Sequence, residues 1–246
     1  MSWSAGQRYL AEFLGTFGLL ASVTGSALLS LNLLSPAASA ERVLLISLAL
    51  GFGVLGMIYA FGDISGAHFN PAVTIGMLAA GRTSAKDAAI YVVAQVLGGL
   101  VAVAALAGVA YGSSSLWASA QGSALAAQGY AGNGSGYTVA LGSVFLLEVV
   151  FTFFLVLVIL LATREGGFAK NLAPIGIALT LAMTNLVAIP IDGASVNPAR
   201  SFAPALLSAI WSSDRWAIQQ DWLFWVAPIV GGLLAAVVER AMRPKP

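Results

Sequence analysis

Long apolar stretches separated by short polar segments follow one another along the whole chain. A helix needs about 20 apolar residues to cross the hydrocarbon core of a bilayer, and six stretches are long enough to do so. They cover residues 9–31, 42–61, 87–110, 138–162, 172–189 and 222–238. The pattern predicts an all-α membrane protein with six transmembrane helices, organised as one transmembrane domain over residues 1–246.

Two further apolar stretches, residues 70–80 and 197–210, are too short to cross a bilayer, and each begins with Asn-Pro-Ala. Proline suits the first turn of a helix because its missing N–H would have no partner there, and asparagine is a good cap just before it. Each tripeptide therefore predicts the start of a half-length helix. The residues concerned are Asn70, Pro71 and Ala72 in the first copy and Asn197, Pro198 and Ala199 in the second.

The order of these features occurs twice, over residues of about 8–110 and about 138–242. In the first half Glu12 precedes a second span and then Asn70, and in the second half Glu148 precedes a second span and then Asn197. The segments AEFLGTF and LEVVFTF around the two glutamates are also similar. Each half crosses the membrane three times, an odd number, so the second half must be inverted. The two half-helices then enter from opposite faces, and their first residues meet near the centre of the bilayer.

Non-helical backbone is predicted just before each half-helix, at residues 65–69 and 192–196. At this depth such backbone is tolerated only where protein or a water-filled cavity satisfies its polar groups. Its carbonyls are expected to form rows of acceptors, with the amides of Asn70 and Asn197 as donors where the rows meet. These carbonyls belong to Gly66, Ala67, His68, Phe69, Gly193, Ser195 and Val196. Because two helix N-termini add positive partial charge at the same point, we predict a narrow polar path that excludes cations.

Three ionisable side chains fall in apolar segments. Glu12 and Glu148 lie within predicted spans, where an ionisable side chain is a functional candidate by default. They either carry protons or ions, or they accept hydrogen bonds from the irregular segment of their own half. The second explanation is favoured, since each half has one such segment and one glutamate. Arg200 directly follows the second tripeptide and is expected to line the outer mouth of the path.

The composition excludes several classes of protein. Only 9% of the residues are charged and the mean hydropathy is +0.90, far too apolar for an ordinary soluble domain. The formal net charge is +1 without any basic run, so nucleic acid is not an expected partner. Cysteine is absent and His68 is the only histidine, which argues against thiol chemistry, metal sites and Ser-His-Asp catalysis. We expect no cofactor and no enzymatic activity.

Basic residues predict the orientation. On one side only Arg42 and Arg215 are found, whereas the loops and ends of the opposite side carry Arg8, Arg82, Lys86, Arg164, Lys170, Arg240, Arg243 and Lys245. The positive-inside rule places the richer side in the cytoplasm. We therefore predict a multi-pass protein of the cell (inner) membrane with both termini cytoplasmic.

The paired Asn-Pro-Ala tripeptides, the arginine after the second one and the six spans resemble the aquaporin, or major intrinsic protein, family over essentially the whole chain. The resemblance implies a passive channel in each subunit of a homotetramer. It implies that Asn70 and Asn197 are the central donors and that Arg200 belongs to an aromatic/arginine selectivity filter. It gives Glu12 and Glu148 the role of bracing the loops.

Three positions are similar to those of the family's water channels and differ from its glycerol facilitators. Ser201 follows Arg200 where glycerol facilitators usually carry aspartate, and Ala205 stands where they usually carry a basic residue. The neighbours Phe224 and Trp225 match the aromatic pair typical of water channels. The resemblance is therefore closest to bacterial water channels.

The filter departs from the water-channel pattern of phenylalanine, histidine, a small residue or cysteine, and arginine. Counting back twenty residues from Asn70 without gaps places Leu50 at the first of these positions, and counting eleven forward from Pro174 places Asn185 at the second. The complete set is then Leu50, Asn185, Ala194 and Arg200. Phe52 lies two residues beyond Leu50, about 200° further round a helix, so both cannot line the path. Because two bulky groups are replaced by smaller ones, the filter is predicted to be wider than that of a strict water channel. The Asn185 amide adds a neutral donor and acceptor.

The predicted function is a passive water channel whose wide filter also passes small neutral solutes such as glycerol, urea, ammonia and hydrogen peroxide. A glycerol-type facilitator is the nearest alternative. A secondary transporter would also use inverted repeats and broken helices, but its coupling acids would have to be Glu12 and Glu148. Asp63 stands where family members often carry histidine, and two explanations stay open: a place in the inner vestibule, or a contact to the broken backbone.

Overall fold

The computed structural model describes residues 3–34, 39–134, 137–164, 170–211 and 215–243. Within these ranges the chain forms nine α-helices and a 3-10 turn at Lys170–Leu172. The helices are α1 (Ala5–Leu33), α2 (Ser39–Ser65), α3 (Pro71–Ala79), α4 (Ala85–Tyr111), α5 (Ser114–Gly122), α6 (Leu141–Ala162), α7 (Ala173–Asp192), α8 (Pro198–Trp211) and α9 (Trp216–Ala241). The all-α prediction is confirmed.

Six of these helices, α1, α2, α4, α6, α7 and α9, are long and apolar enough to cross a membrane. They coincide with the six predicted spans, but several extend further. The second helix continues to Ser65 and the last begins at Trp216, beyond the predicted limits at residues 61 and 222. Polar side chains such as Asp63 and Asp221 lower the hydropathy near these limits, so the predicted spans ended too early. The backbone hydrogen bonds of a helix do not depend on hydropathy, so the helices continue.

The short helices α3 and α8 begin at Pro71 and Pro198, as predicted. The amide oxygen of Asn70 accepts the N–H of Ala72 at 2.8 Å, and that of Asn197 accepts the N–H of Ala199 at 3.0 Å. Both prolines thus occupy the first helical position behind an asparagine cap.

The two halves pack in the same way. In the first half α1 lies against α2 and α4, and in the second α6 lies against α7 and α9. A Cβ built on Gly98 of α4 would collide with the carbonyl of Phe13, and one built on Gly231 of α9 would collide with that of Val149. Phe13 and Val149 directly follow the two buried glutamates. Both halves therefore need a glycine where the backbones cross, which is the packing expected of an inverted repeat.

A ninth helix was not predicted. Residues 111–137 are rich in Gly, Ser and Ala and carry no charge, a composition that predicts an irregular outer connection, but α5 forms within them. Its residue Trp117 contacts Tyr111 and Trp211 edge to face, with ring centroids 5.6 and 5.9 Å apart. Helix α5 carries no long apolar run. Its aromatic contacts join different helices, and contacts of this kind leave no pattern in the local sequence.

We call the face that carries both described chain ends the terminal face, and the opposite face, which carries α5, the loop face. On the terminal face Glu239 of α9 forms ion pairs with Arg82 at 3.0 Å and with Arg243 at 2.9 Å. Arg240 and Arg243 also donate to the carbonyls of residues 79 and 80 at the end of α3. Of the predicted basic residues on this side, Lys245 lies outside the described residues.

Replacing Glu239 by alanine is expected to lower the free energy of unfolding by about 1–3 kcal/mol, because it removes a buried carboxylate that pairs with two partly exposed arginines. Thermal unfolding in detergent measures the change. The matched control is Glu41→Ala, since Glu41 is exposed in the first turn of α2. Equal melting temperatures for the two variants would contradict the prediction.

Candidate functional site

Three adjoining cavities follow one another between the two faces. The loop-face cavity has a volume of about 310 Å³ and is bordered by Arg42, Gly193 and Arg200. The central cavity is a constriction of about 30 Å³. The terminal-face cavity measures about 590 Å³ and is bordered by Asp63 and Arg82. Shared lining residues join them: Arg200 borders the first and second cavities, while Ile58, Ala67, Ile159 and Ile177 border the second and third.

The lining of the central cavity differs in polarity from one element to another. Helices α2, α6 and α7 contribute only aliphatic side chains, those of Leu50, Val54, Ile58, Leu155, Ile159, Ile177 and Leu181. The polar lining residues come from the segments before α3 and α8 and from the first turn of α8, and they are His68, Asn70, Ser195, Asn197 and Arg200. The cavity therefore combines a few hydrogen-bonding groups with a largely aliphatic lining.

Asn70 and Asn197 meet at this constriction and link the two halves. The amide nitrogen of Asn70 donates to the carbonyl of Val196 at 2.7 Å, and that of Asn197 donates to the carbonyl of Phe69 at 3.0 Å. Each amide group has two N–H donors. One donor is therefore used in the link between the halves, and the second remains available to a molecule in the cavity.

The backbone before each asparagine has the same unusual conformation in both halves. Positive φ angles occur four, three and one residues before Asn70, at +91°, +51° and +50°. They recur at the same offsets before Asn197, at +89°, +55° and +46°. Glycine occupies the first of these positions in each half, whereas Ala67, Phe69, Ala194 and Val196 occupy the others. Non-glycine residues in this region, valine above all, carry strain that the surroundings must impose.

Glu12 supplies much of that constraint in the first half. It is fully buried. Its Oε1 accepts the N–H of His68 at 3.0 Å and the hydroxyl of Ser65 at 2.6 Å. Its Oε2 accepts the N–H of Phe69 at 2.8 Å and the amide of Gln95 at 2.8 Å. Four donors thus converge on one carboxylate, which fixes the irregular segment.

Glu148 holds the corresponding segment in the second half. Its two oxygens accept the N–H groups of Ser195 and Val196, each at 2.8 Å. These residues are the equivalents of His68 and Phe69, so the backbone contacts of the two glutamates match. The side-chain contacts differ, because Asp192 occupies the place beside Glu148.

Two pairs of side chains also correspond. His68 Nδ1 lies 3.1 Å from the Thr74 hydroxyl, and the hydroxyl of Ser195 forms a hydrogen bond with that of Ser201. Both pairs join a loop residue to the first turns of the half-helix that follows. The histidine ring is buried and packs edge-on against Tyr91, so its side chain is held within the protein.

Of the predicted carbonyl rows, three members already accept a hydrogen bond from a side chain. These are the carbonyls of Phe69 and Val196 in the central links and the carbonyl of Gly193, which accepts Arg200 Nη2 at 3.3 Å. A carbonyl has two lone pairs, so each can accept a second bond. Gly66 borders the terminal-face cavity.

At the predicted filter, Arg200 is almost completely buried. Its Nη1 donates to the carbonyl of Ala126 at 3.1 Å, in the connection after α5, and its Nη2 to the carbonyl of Gly193. Leu50 borders the central cavity. Phe52 is 70% exposed on the outer surface of α2, so the bulky ring points away from the path.

Asn185 lies on the face of α7 between Leu181, which borders the central cavity, and Ile189, which borders the loop-face cavity. It is buried, and its amide nitrogen donates to the carbonyl of Leu181 at 3.1 Å. Its Oδ1 has no donor among the described residues. The sequence indicated both a donor and an acceptor here, but one N–H is taken up within α7. Ala194 is buried at the turn beside Gly193.

Asp63 is exposed and borders the terminal-face cavity. Of the two explanations left open by the sequence, this position corresponds to the vestibule.

Several residues of the site were missed by sequence reasoning. Ser65 and Asp192 were predicted only as non-helical backbone, whereas they are the last residues of α2 and α7. Each precedes the central asparagine of its half by five residues, so counting within the repeat could have indicated that their side chains have matching roles. Gln95 was recognisable as a polar residue inside an apolar span. The contact from Ala126 to Arg200 had no signal in the sequence, because it comes from a connection 74 residues away.

Comparison with known proteins gives consistent matches. The model of a family described as "Major intrinsic protein" matches residues 1–239. The chain is 42% identical over 243 residues to a protein named Aquaporin Z from Rhodopseudomonas palustris, covering 97% of this chain and 94% of that protein. It is 40% identical over 240 residues to Aquaporin Z from Bradyrhizobium diazoefficiens, covering 98% and 95%.

Among solved structures, the X-ray structure of the aquaglyceroporin from Plasmodium falciparum is similar, with a TM-score of 0.79 and 25% sequence identity. The match covers 95% of each chain.

Proposed function

The chain belongs to the major intrinsic protein family, and on that premise we propose that it is a passive water channel whose filter is wide enough to pass small neutral solutes as well. It is a multi-pass membrane channel and not an enzyme. The family match, the relatives named Aquaporin Z and the three adjoining cavities support the water-channel function.

One observation carries the mechanism: the reciprocal hydrogen bonds of Asn70 and Asn197 at the constriction. They hold two amide donors in the lining of the central cavity, to which α2, α6 and α7 contribute only aliphatic side chains. We propose that a passing water exchanges one hydrogen bond for another at these donors. The first turns of α3 and α8 converge at the same point, so their N-terminal dipoles raise the energy of any cation there.

The filter residues support the wider solute range. We propose that Leu50, Asn185, Ala194 and Arg200 form the narrow outer passage. The aliphatic Leu50 lines the central cavity while the ring of Phe52 faces outward, so that ring does not narrow the passage. Asn185 carries a smaller side chain than the histidine of the water-channel pattern. Arg200, fixed by two carbonyls, supplies the positive charge that opposes cations.

A vesicle assay tests the function. In stopped-flow light scattering, reconstituted protein is expected to raise water permeability far above that of protein-free vesicles, and to raise glycerol and urea permeability measurably. Glycerol and urea permeability equal to that of protein-free vesicles would overturn the wide filter. Water permeability at that level would overturn the channel itself, so the two ideas fail separately.

The carrier alternative predicts solute uptake against a gradient, driven by an ion. Both of its candidate acids, Glu12 and Glu148, are engaged with backbone N–H groups, which supports the bracing role. Flow that follows the solute gradient alone is therefore the expected result in the same vesicles.

We further propose that the terminal face is cytoplasmic, that the membrane is the cell (inner) membrane and that the channel is a homotetramer with one pore in each subunit. The basic residues of that face support its orientation. Cross-linking of the detergent-solubilised protein and protease access from either side of a vesicle check these assignments.

A further inference from the structure

The second half of the channel contains a carboxyl group that the first half lacks. Asp192 is the last residue of α7 and is fully buried. Its Oδ1 accepts the N–H of Ala194 at 2.7 Å, which holds the turn that leads into the filter. Its carboxyl is also within hydrogen-bonding reach of the carboxyl of Glu148.

Three of the four oxygens in this pair have donors. Both oxygens of Glu148 accept a backbone N–H, from Ser195 and Val196, and Asp192 Oδ1 accepts that of Ala194. Asp192 Oδ2 is buried, and no donor among the described residues reaches it. Two ionised carboxylates in contact, one with an unsatisfied oxygen, would repel each other strongly in this dry environment.

The equivalent position in the first half shows which kind of group is needed beside the buried glutamate. Ser65, like Asp192, ends its helix five residues before the central asparagine. Its Oγ accepts the N–H of Ala67 at 3.1 Å and donates its proton to Glu12 at 2.6 Å. Asp192 makes the equivalent acceptor bond to Ala194. The equivalent donor bond to Glu148 requires a hydrogen on Oδ2.

We propose that Asp192 is a protonated carboxylic acid that donates a hydrogen bond from Oδ2 to Glu148, and that it acts as a positioning residue for the filter. The acid repeats in the second half what the Ser65 hydroxyl does in the first. One proton satisfies the remaining oxygen and leaves a single negative charge on the pair. The three N–H groups of residues 194–196 are then held by one acid–carboxylate unit.

The surrounding charges are consistent with a single negative charge. The charged groups that face Asp192 are Glu148 from α6 and Arg200 from α8, and Arg42 of α2 borders the same loop-face cavity as Gly193. The charge of Arg200 and the single negative charge of the two acids then add up to zero. Loss of the proton would place a second negative charge beside the arginine that opposes cations.

Infrared spectroscopy tests the proton directly in the full-length wild-type protein. A protonated carboxyl gives a C=O band distinct from that of a carboxylate, and we expect such a band at neutral pH that disappears in Asp192→Asn. Asp221→Asn is the matched control, because Asp221 is another buried acid, in α9, with an unpartnered oxygen. The Asp192 band should persist in that variant. Identical carboxyl bands in wild type and Asp192→Asn would overturn the proposal.

Thermal stability as a function of pH provides a second measurement. A residue with only a packing role would not show the pH dependence expected of a buried protonated acid. The amide introduced by Asp192→Asn keeps a donor toward Glu148. The folded wild type keeps a proton that the unfolded aspartate releases above about pH 4, so its stability should fall as the pH rises from mildly acid to neutral. Asp192→Asn has no such proton and should lack this decline, so its melting temperature should gain on that of the wild type over the same range. Asp192→Leu, which offers no donor, should be less stable than Asp192→Asn at both pH values. The same pH dependence of melting in the wild type and in Asp192→Asn would contradict the proposal.

The inference rests on the proposed function only in its permeability readout. In vesicles, Asp192→Leu is expected to lose most of the water permeability of the wild type. If wild-type vesicles show no water flow, the channel function fails, while the infrared result still decides the state of Asp192.

Discussion

Replacing Glu12 by alanine is expected to abolish water flow and to leave little folded protein. The change removes the acceptor of four donors, three of them buried, which come from Ser65, His68, Phe69 and Gln95. Each buried donor left without a partner costs about 1–3 kcal/mol, and a folded domain has only about 5–15 kcal/mol in total. The strained φ angles of Ala67 and Phe69 would also lose the contacts that hold them. Size-exclusion chromatography, thermal unfolding and vesicle water flow measure the loss.

Leu14→Ala is the matched control, because Leu14 lies two residues away on α1 and is 40% exposed. It should fold and conduct like the wild type. The melting temperature and water flow of Glu12→Gln should lie between those of the two variants. Its amide keeps one acceptor oxygen, but the NH₂ group replaces the other oxygen and faces the donors that this oxygen bound. Normal melting and water flow in Glu12→Ala would show that the glutamate does not brace the segment.

The double substitution Leu50→Phe and Asn185→His is expected to reduce glycerol and urea permeability to that of protein-free vesicles while water flow survives. Both changes add a ring at the proposed filter, and pore diameter sets the size of solute that passes. The solute permeabilities are compared with water permeability in the same vesicle preparation, so that differences in the amount of reconstituted protein cancel.

Phe52→Leu serves as the control for the double variant, because Phe52 lies on the same helix but on its outer surface. It should leave both solute and water permeability unchanged. Solute flow that persists in the double variant would place the size limit elsewhere along the path, with the constriction at the two asparagines as the next candidate.

Much of the fold could be predicted from the sequence because its signals are local. Six apolar stretches correspond to six helices, and the cap chemistry of Asn70 and Asn197 determines the starts of α3 and α8. Helix α5 escaped prediction because its main contacts, from Trp117 to Tyr111 and Trp211, join three different elements. Such packing depends on distances between helices, which hydropathy does not encode.

For the site, the sequence indicated which residue types would meet but not how they would share hydrogen bonds. The two central asparagines were predicted as donors toward the path, yet one donor of each binds a carbonyl of the opposite half. Likewise Glu148 was predicted as a brace, whereas its neighbour Asp192 was passed over. An aspartate at the end of an apolar stretch is ambiguous in sequence, since a cap and a buried acid look the same until its neighbours are known.

The reciprocal bonds at the constriction also constrain the order of events when the chain is made. The amide of Asn70 binds a carbonyl 126 residues further along, and the carbonyl of Phe69 binds an amide 128 residues further along. When the ribosome has completed the first half, neither partner has yet been synthesised. The early helices can insert and pack at that stage, but the constriction cannot form until Val196 and Asn197 have been synthesised. A chain truncated before α8 would therefore contain the first half without the link that closes the constriction.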